Sequence, residues 1–185
     1  VDFKAYHPSY NSPASFIAAP IIENGEKIGV LVFQMPIDRI NDIMTSKRHW
    51  ENVGLGKSGE TYIVGEDYTL RSQSRFFIED SMGYFNMMRD IGTPETTIAK
   101  MRNFRSTIGL QNINTEGTKE ALEGKTNAKI FNDYRNLPVL SSYKPLNING
   151  MKWVLMSEID EAEAFEHVYI LRKQIIAFCS VLVLL

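Results

Sequence analysis

The sequence predicts an α+β fold, an antiparallel sheet with flanking helices, in a chain that holds parts of two similar modules. Three observations carry this reading. Asn24-Gly25 and Asn149-Gly150 each stand between two apolar runs, the strongest short-range signal for an antiparallel hairpin. Elsewhere apolar residues recur at helical spacing, as in Ile37, Ile40, Ile43 and Met44. The octet Pro20-Ile21-Ile22-Glu23-Asn24-Gly25-Glu26-Lys27 also aligns without a gap on Pro145-Leu146-Asn147-Ile148-Asn149-Gly150-Met151-Lys152. Each octet is followed by an apolar strand and then by a helix entry, near Ile37-Asp38 or Ile159-Asp160. A period of this length marks a repeated domain rather than a solenoid unit.

In chain order, residues 1–15 are rich in turn formers and aromatics and read as loop or strand edge. Phe16–Ile22 and Lys27–Phe33 are the strands of the first hairpin, and Pro36 opens a helix that runs toward Trp50. Tyr62-Ile63-Val64 reads as a strand, Gly65-Glu66-Asp67 as a turn and Tyr68–Arg71 as the returning strand. Phe77–Arg89 reads as irregular, and a helix starts at Thr93-Pro94 with Thr93 as cap and Ile98, Met101 and Phe104 as its buried stripe. A short helix over Thr118–Glu123 ends at Gly124. Strands follow at Lys129–Tyr134, Val139–Tyr143 and Lys152–Glu158, and the chain is helical from Glu161.

Composition narrows the function. With 185 residues, 44% hydrophobic and 23% charged, the chain is long enough for a real core. A net charge of −2 gives no electrostatic reason to expect nucleic acid. The single cysteine, Cys179, excludes an intrachain disulfide and a cysteine metal cluster, and it sits in an apolar run where a thiolate is disfavoured. His7, His49 and His167 lack ligand spacing, so neither a metal nor any other cofactor is expected. No serine occupies a G-x-S-x-G elbow, and no enzyme is expected in this stretch. The acidic residues Asp38, Asp42, Glu158, Asp160, Glu161 and Glu163 read as a solvated set at helix entries.

Gly54, Gly56 and Gly59 match G-x-G-x-x-G, and Gly56-Lys57-Ser58 mimics the end of a P-loop. The dinucleotide pattern needs a strand before it and a helix after it, whereas here a helix precedes and a strand follows; the P-loop pattern needs Gly at position 51, which is Glu. The stretch reads as a turn between helix and hairpin. At the other end, Ile175–Leu185 is apolar except for Ser180; a membrane span needs about 20 such residues, and the run is expected to be the start of a transmembrane helix. Arg172 and Lys173 precede it, which by the positive-inside rule favours the cytoplasmic side.

Several motifs together resemble the double-Cache extracytoplasmic sensor domains of bacterial transmembrane receptors. They are Gly56-x-Ser58-Gly59-Glu60-Thr61-Tyr62-Ile63-Val64-Gly65, Arg71-Ser72-x-Ser74-Arg75, Asp133-Tyr134-Arg135, Pro138-Val139-Leu140-Ser141-Ser142-Tyr143, and Gly150-x-x-Trp153-x-Leu155 with Glu158-Ile159-Asp160. They cover about residues 45 to 170. The resemblance implies a PAS-like Cache module with a small-molecule pocket, preceded by the end of a similar module and followed by a helix into the membrane. It implies residues 1–44 as the closing part of a membrane-distal module, 45–166 as the membrane-proximal module, and 167–185 as connecting helix and transmembrane start. It further implies an inner-membrane protein with its sensor in the periplasm, a homodimer through helices, and a cytoplasmic output in chemotaxis, as a histidine kinase or as a nucleotide cyclase. A membrane-anchored solute-binding or adhesion module without signalling is the alternative. Amino-acid-binding members of the family carry an aspartate where this sequence has Gln34, so an amino acid ligand is not expected.

The candidate ligand-binding residues are Tyr62, Arg71, Ser72, Ser74, Arg75 and Tyr143. A guanidinium is a planar fork suited to a carboxylate, so Arg71 and Arg75 either clamp an anion or pair with Glu60, Glu66 or Asp80. Tyr62 and Tyr143 either line the same cavity or belong to the core. Asp133-Tyr134-Arg135 reads as a strand end with Tyr134 inward and its two neighbours outward.

Overall fold

The computed structural model describes residues 1–183. Two short strands, β1 (Lys4–Tyr6) and β2 (Ser12–Ala14), pair with each other, and β3 (Phe16–Glu23) pairs with β4 (Glu26–Gln34) in the first hairpin. Helix α1 (Ile37–Met44) follows, then β5 (Glu60–Gly65). Helices α2 (Arg75–Glu79), α3 (Ser81–Asp90), α4 (Glu95–Phe104) and α5 (Glu116–Leu122) cross over to β6 (Asn127–Asn132), β7 (Pro138–Ile148) and β8 (Met151–Asp160). The chain leaves through α6 (Glu161–Ala164) and α7 (Glu166–Val183). Strands β5 to β8 form one antiparallel sheet in the order β5-β8-β7-β6, so the fold is α+β as the patterning requires.

Register decides which side chains face the core. Because side chains alternate along a strand, Tyr62 and Val64, Val139 and Tyr143, and Val154 and Met156 share the inner face. They form the main apolar cluster with Leu70, Ile113, Ala121 and Phe131. Helix α5 lies against this face, and Gly117 makes the approach possible: a Cβ there would stand 2.5 Å from Phe131 Cζ. On the outer face Ile63 and Trp153 meet Phe3 and Ile108, with Ile37, Ile40 and Met44 of α1 packed around them. A third cluster joins Tyr84, Phe85 and Met88 of α3 to Ile98 and Met101 of α4.

Three local expectations need correction. Phe77–Arg89 is helical, because Asp80 caps α3 by accepting from the Met82 and Gly83 amides, and Tyr84, Phe85 and Met88 give it a buried stripe. Tyr68–Arg71 does not form a returning strand: Tyr68 takes a left-handed φ of +60°, Asp67 accepts from the Thr69 amide, and only isolated bridges remain. Thr93 is not the cap of α4, which starts after Pro94. Among the described residues no helix is long and apolar enough to cross a membrane, and Leu184 and Leu185, which close the expected transmembrane start, lie outside them.

Candidate functional site

Glu60, Tyr62, Ser74, Tyr134, Ser141 and Glu158 form a polar row inside the module. Glu60 on β5 faces Glu158 on β8, which in turn faces Ser141 on β7. Inward parity puts both carboxylates, each 3% exposed, on the core face. Glu158 accepts from Tyr62 Oη at 2.6 Å and Ser141 Oγ at 2.9 Å. Glu60 accepts from Tyr134 Oη at 2.5 Å, Ser74 Oγ at 3.2 Å and the Arg75 amide at 3.0 Å. Glu158 is therefore not part of a solvated helix entry.

Among the described residues no cation forms an ion pair with either carboxylate, so desolvation prevails. Burial first, then the negative charges of Asp133 and Glu60, push Glu158 up to about 7 against the hydrogen bonds of Tyr62 and Ser141. Burial likewise raises Glu60. Burial and the neighbouring carboxylates hold the Tyr62 and Tyr134 phenols well above their ordinary value, so both remain donors.

The six candidate residues divide between this row and its surroundings. The Tyr62 and Ser74 hydroxyls and the Arg75 amide belong to the row. Ser72 Oγ accepts from the Ile63 amide at 3.1 Å. Tyr143 lies on the inner face beyond Met156, and its hydroxyl donates to Glu120. Arg71, 2% exposed, donates to both carboxylate oxygens of Asp2, at 2.8 and 2.7 Å, and to Asp67 and Thr69. Together with a bond from Trp153 Nε1 to Asp2 it ties the start of the chain to the module.

Arg75 turns its guanidinium the other way. It donates to the carbonyls of Gly56 and Gly59 at 3.0 and 2.5 Å, pairs with Glu79 and stacks on Trp50. The arginines thus pair with Asp2, Asp67 and Glu79, not with Glu60, Glu66 or Asp80. Asp133 is buried rather than outward, where it pairs with Arg135, which also reaches Asp160.

The glycine loop has an internal anion. The amides of Lys57 and Ser58 donate to Glu163 of α6 at 2.8 Å each, and Ser58 Oγ adds a third bond at 2.5 Å. These bonds, led by the Lys57 amide, hold the Glu163 carboxyl below its ordinary range. Gly56 has a φ of +54°, and a Cβ there would stand 2.3 Å from Glu163 Oε1, so only glycine fits. Arg75 holds the loop's carbonyls while Glu163 occupies its amides. What resembled a phosphate loop is a socket for the exit helix.

Sequence reasoning missed Glu60, Glu158, Tyr134 and Ser141. The available signal was parity: Glu60 falls in step with Tyr62 and Val64, and Glu158 with Val154 and Met156. No group of three or more His, Cys, Asp or Glu side chains placed to hold a metal occurs among the described residues.

No protein-family model matches the sequence, and no curated protein matches it. Solved structures do. The ligand-binding domain of the Pseudomonas fluorescens chemoreceptor CtaA, in complex with L-alanine, is 8% identical over 89% of this chain and 55% of that chain, with a TM-score of 0.49. The ligand-binding domain of the Pseudomonas aeruginosa PAO1 amino acid chemoreceptor PctC, in complex with GABA, is 11% identical over 86% and 54%, also with a TM-score of 0.49. The periplasmic sensory domain of the Campylobacter jejuni chemoreceptor Tlp1 is 10% identical over 83% and 45%, with a TM-score of 0.47. These three are ligand-binding or sensory domains of chemoreceptors. The chain spans about half the length of each.

Proposed function

We propose that the chain is an extracytoplasmic small-molecule sensing domain of an inner-membrane receptor, with residues 45–166 as its membrane-proximal module and 1–44 as the closing part of a distal one. In this reading ligand-induced motion passes into α6 and α7, then across the membrane to an output in chemotaxis, histidine-kinase or cyclase signalling. Pairing of two copies through their exit helices would give the output two states to choose between.

The observation that carries the reading is the capture of Glu163. β8 runs from the interior of the sheet directly into α6, and the socket fixes the first turn of that helix to the loop before β5. Arg75 joins the socket to Glu60, so a shift of β5 against β8 displaces the helix. Ala162, Phe165 and Tyr169 supply one stripe for sheet or partner, and Tyr169 ties back to Glu161 at 2.8 Å.

The test is a thermal-shift screen of the chain against small carboxylates, amines, nucleobases and sugars, since a ligand of the native state raises the melting temperature. Hydrogen exchange over residues 161–170 is then compared with and without each hit. A hit should change that exchange in the wild type and not in Glu163→Gln, at similar affinity. Binding that leaves the exit helix unaffected would make the chain an anchored solute-binding module instead.

A further inference from the structure

A groove of about 680 Å³ opens between α1 with the Ser46–Arg48 turn on one wall and α2, α3 and the end of α4 on the other. Its volume suits a small molecule. Arg48, Arg102 and Arg105 line it together with apolar side chains that include Phe77 and Phe85. Arg71, Arg75, Arg89 and Arg135 each pair with a carboxylate, whereas none of the three groove arginines does among the described residues. Arg102 is stacked over Phe85 at 5.2 Å, which places a cation beside the apolar lining.

Backbone conformation adds a second, independent observation. Arg48 has a φ of +68° and Arg105 of +48°, a region that suits glycine or asparagine. Arg105 ends α4 at the position where glycine is the usual stop. Strained backbone of this kind clusters at ligand sites, where the side chain it presents is needed. Asp38 and Asp42, one turn apart on α1, also line the groove, so three guanidiniums stand against two carboxylates. That balance favours one negative charge and opposes two.

We propose that this groove binds a monocarboxylate carrying an apolar body of about the size of an aromatic ring. The site deepens the sensing reading by giving the ligand a place, and it rests on that reading only for its consequence. Asn41 of α1 accepts from the Gln73 amide at 2.8 Å, and both line the groove. Gln73 is followed by Ser74 on Glu60 and by Arg75 on the exit-helix socket. Closing the two walls on a ligand therefore pulls on the segment that links groove, buried row and helix.

Isothermal titration of the chain with phenylacetate, phenylacetamide and inorganic phosphate tests the site, in the wild type and in Arg48→Gln and Arg105→Gln. Both arginines are exposed, so circular dichroism and the ligand-free melting temperature should stay unchanged. Phenylacetate should bind at least about tenfold tighter than the amide or phosphate, and each variant should weaken it at least about tenfold. No binding of phenylacetate up to about 10 mM, equal binding of the amide, tighter binding of phosphate, or undiminished binding in the variants would overturn the proposal. A screening hit independent of Arg48 and Arg105 overturns the groove and leaves the sensing reading standing. Phenylacetate that binds through these arginines without changing exchange over residues 161–170 does the reverse.

Discussion

Glu158→Gln should make the domain more stable above neutral pH and remove much of its pH dependence. Glu158 is buried, faces Glu60 across the strand pair and, among the described residues, has the Tyr62 and Ser141 hydroxyls as its partners. Its carboxyl rises from an ordinary 4.5 to about 7. In the unfolded chain it ionises near its ordinary value, so between these two limits the native state holds a proton that the unfolded state has lost. Stability then falls as pH rises. The contribution is full below the unfolded value, declines through the window, and is lost once pH passes the folded value. A displacement of this size corresponds to about 3 kcal/mol.

For a chain of this length that is a drop of roughly 6–12 °C in melting temperature between about pH 5 and pH 8. Glutamine keeps both hydrogen bonds, accepting from Tyr62 through its carbonyl and donating to Ser141, yet carries no proton to lose. At the acid end the variant should match the wild type within about 1 kcal/mol; at the alkaline end it should exceed it by up to about 3 kcal/mol. Glu60, raised in the same direction, leaves some slope in the variant. Thermal melts across the range, with urea titrations at both ends, measure this directly. Parallel profiles for the two proteins would show that Glu158 is ionised in the native state without penalty, and the account of the buried row would fail.

Asp2→Asn removes one of the two carboxylates paired with buried Arg71, leaving Asp67, and should cost roughly 1–3 kcal/mol in urea denaturation. Burial raises the Asp2 carboxyl, but Arg71 outweighs it and holds the group low, so this stabilisation is present above the ordinary carboxylate range and is lost on acidification; the variant should show a flatter acid limb. Gly56→Ala pushes a methyl group into Glu163 and should release α6, seen as faster amide exchange over residues 161–165 with the sheet unchanged. Gly117→Ala crowds Phe131 and Met156, whose methyl carbon would lie 2.9 Å away, and should cost about 1–3 kcal/mol in the same titration. Val168→Pro breaks α7; under the proposed function it should abolish output from the full receptor while ligand affinity in the isolated chain stays unchanged, and lost affinity would count against transmission through this helix.

What was legible in the sequence was local. Hairpins at Asn-Gly and the packing of Ile37, Ile40 and Met44 of α1 follow from short-range chemistry and appear where the pattern put them, whereas Ile43, expected on the same face, is exposed. Phe77–Arg89 was opaque because its aromatic density hides the period, and because the cap that starts α3 is an aspartate with no apolar run after it. Arg71 and Arg75 were singled out as an anion clamp or as ion-pair partners, and both form internal ion pairs. Asp67 and Glu79 stand four residues from Arg71 and Arg75 and were open to a reading by spacing, whereas Asp2, 69 residues from Arg71, and the Gly56 and Gly59 carbonyls, which are backbone atoms, leave no trace in side-chain spacing. Glu60 and Glu158 were legible by parity alone, yet Glu158 stands just before the entry of α6, where a glutamate is so commonly solvated that its position argued the other way.

The two octets that align so closely make the same point about partners. Both fold as hairpins around Asn-Gly. Pro20 faces Val30 in one and Pro145 faces Val154 in the other, a difference of one residue taken up by an irregularity between Ile21 and Ile22. The turns differ slightly, since Asn24 and Gly25 both take positive φ whereas in the second only Gly150 does. Their surroundings differ completely. β8 is flanked by β5 and β7 by β6, with α5 across the face, and Val154 is buried. Among the described residues β3 and β4 pair as strands only with each other, and Ile17, Val30, Val32 and Phe33 are exposed. Two strands alone are at best marginally stable in water, and an exposed apolar hairpin with no further strand at either edge among the described residues invites pairing. If the repeat is a structural one, β3 and β4 correspond to the inner pair of a sheet. Further strands at both edges and a helix across the apolar face are then what their sequence is written for.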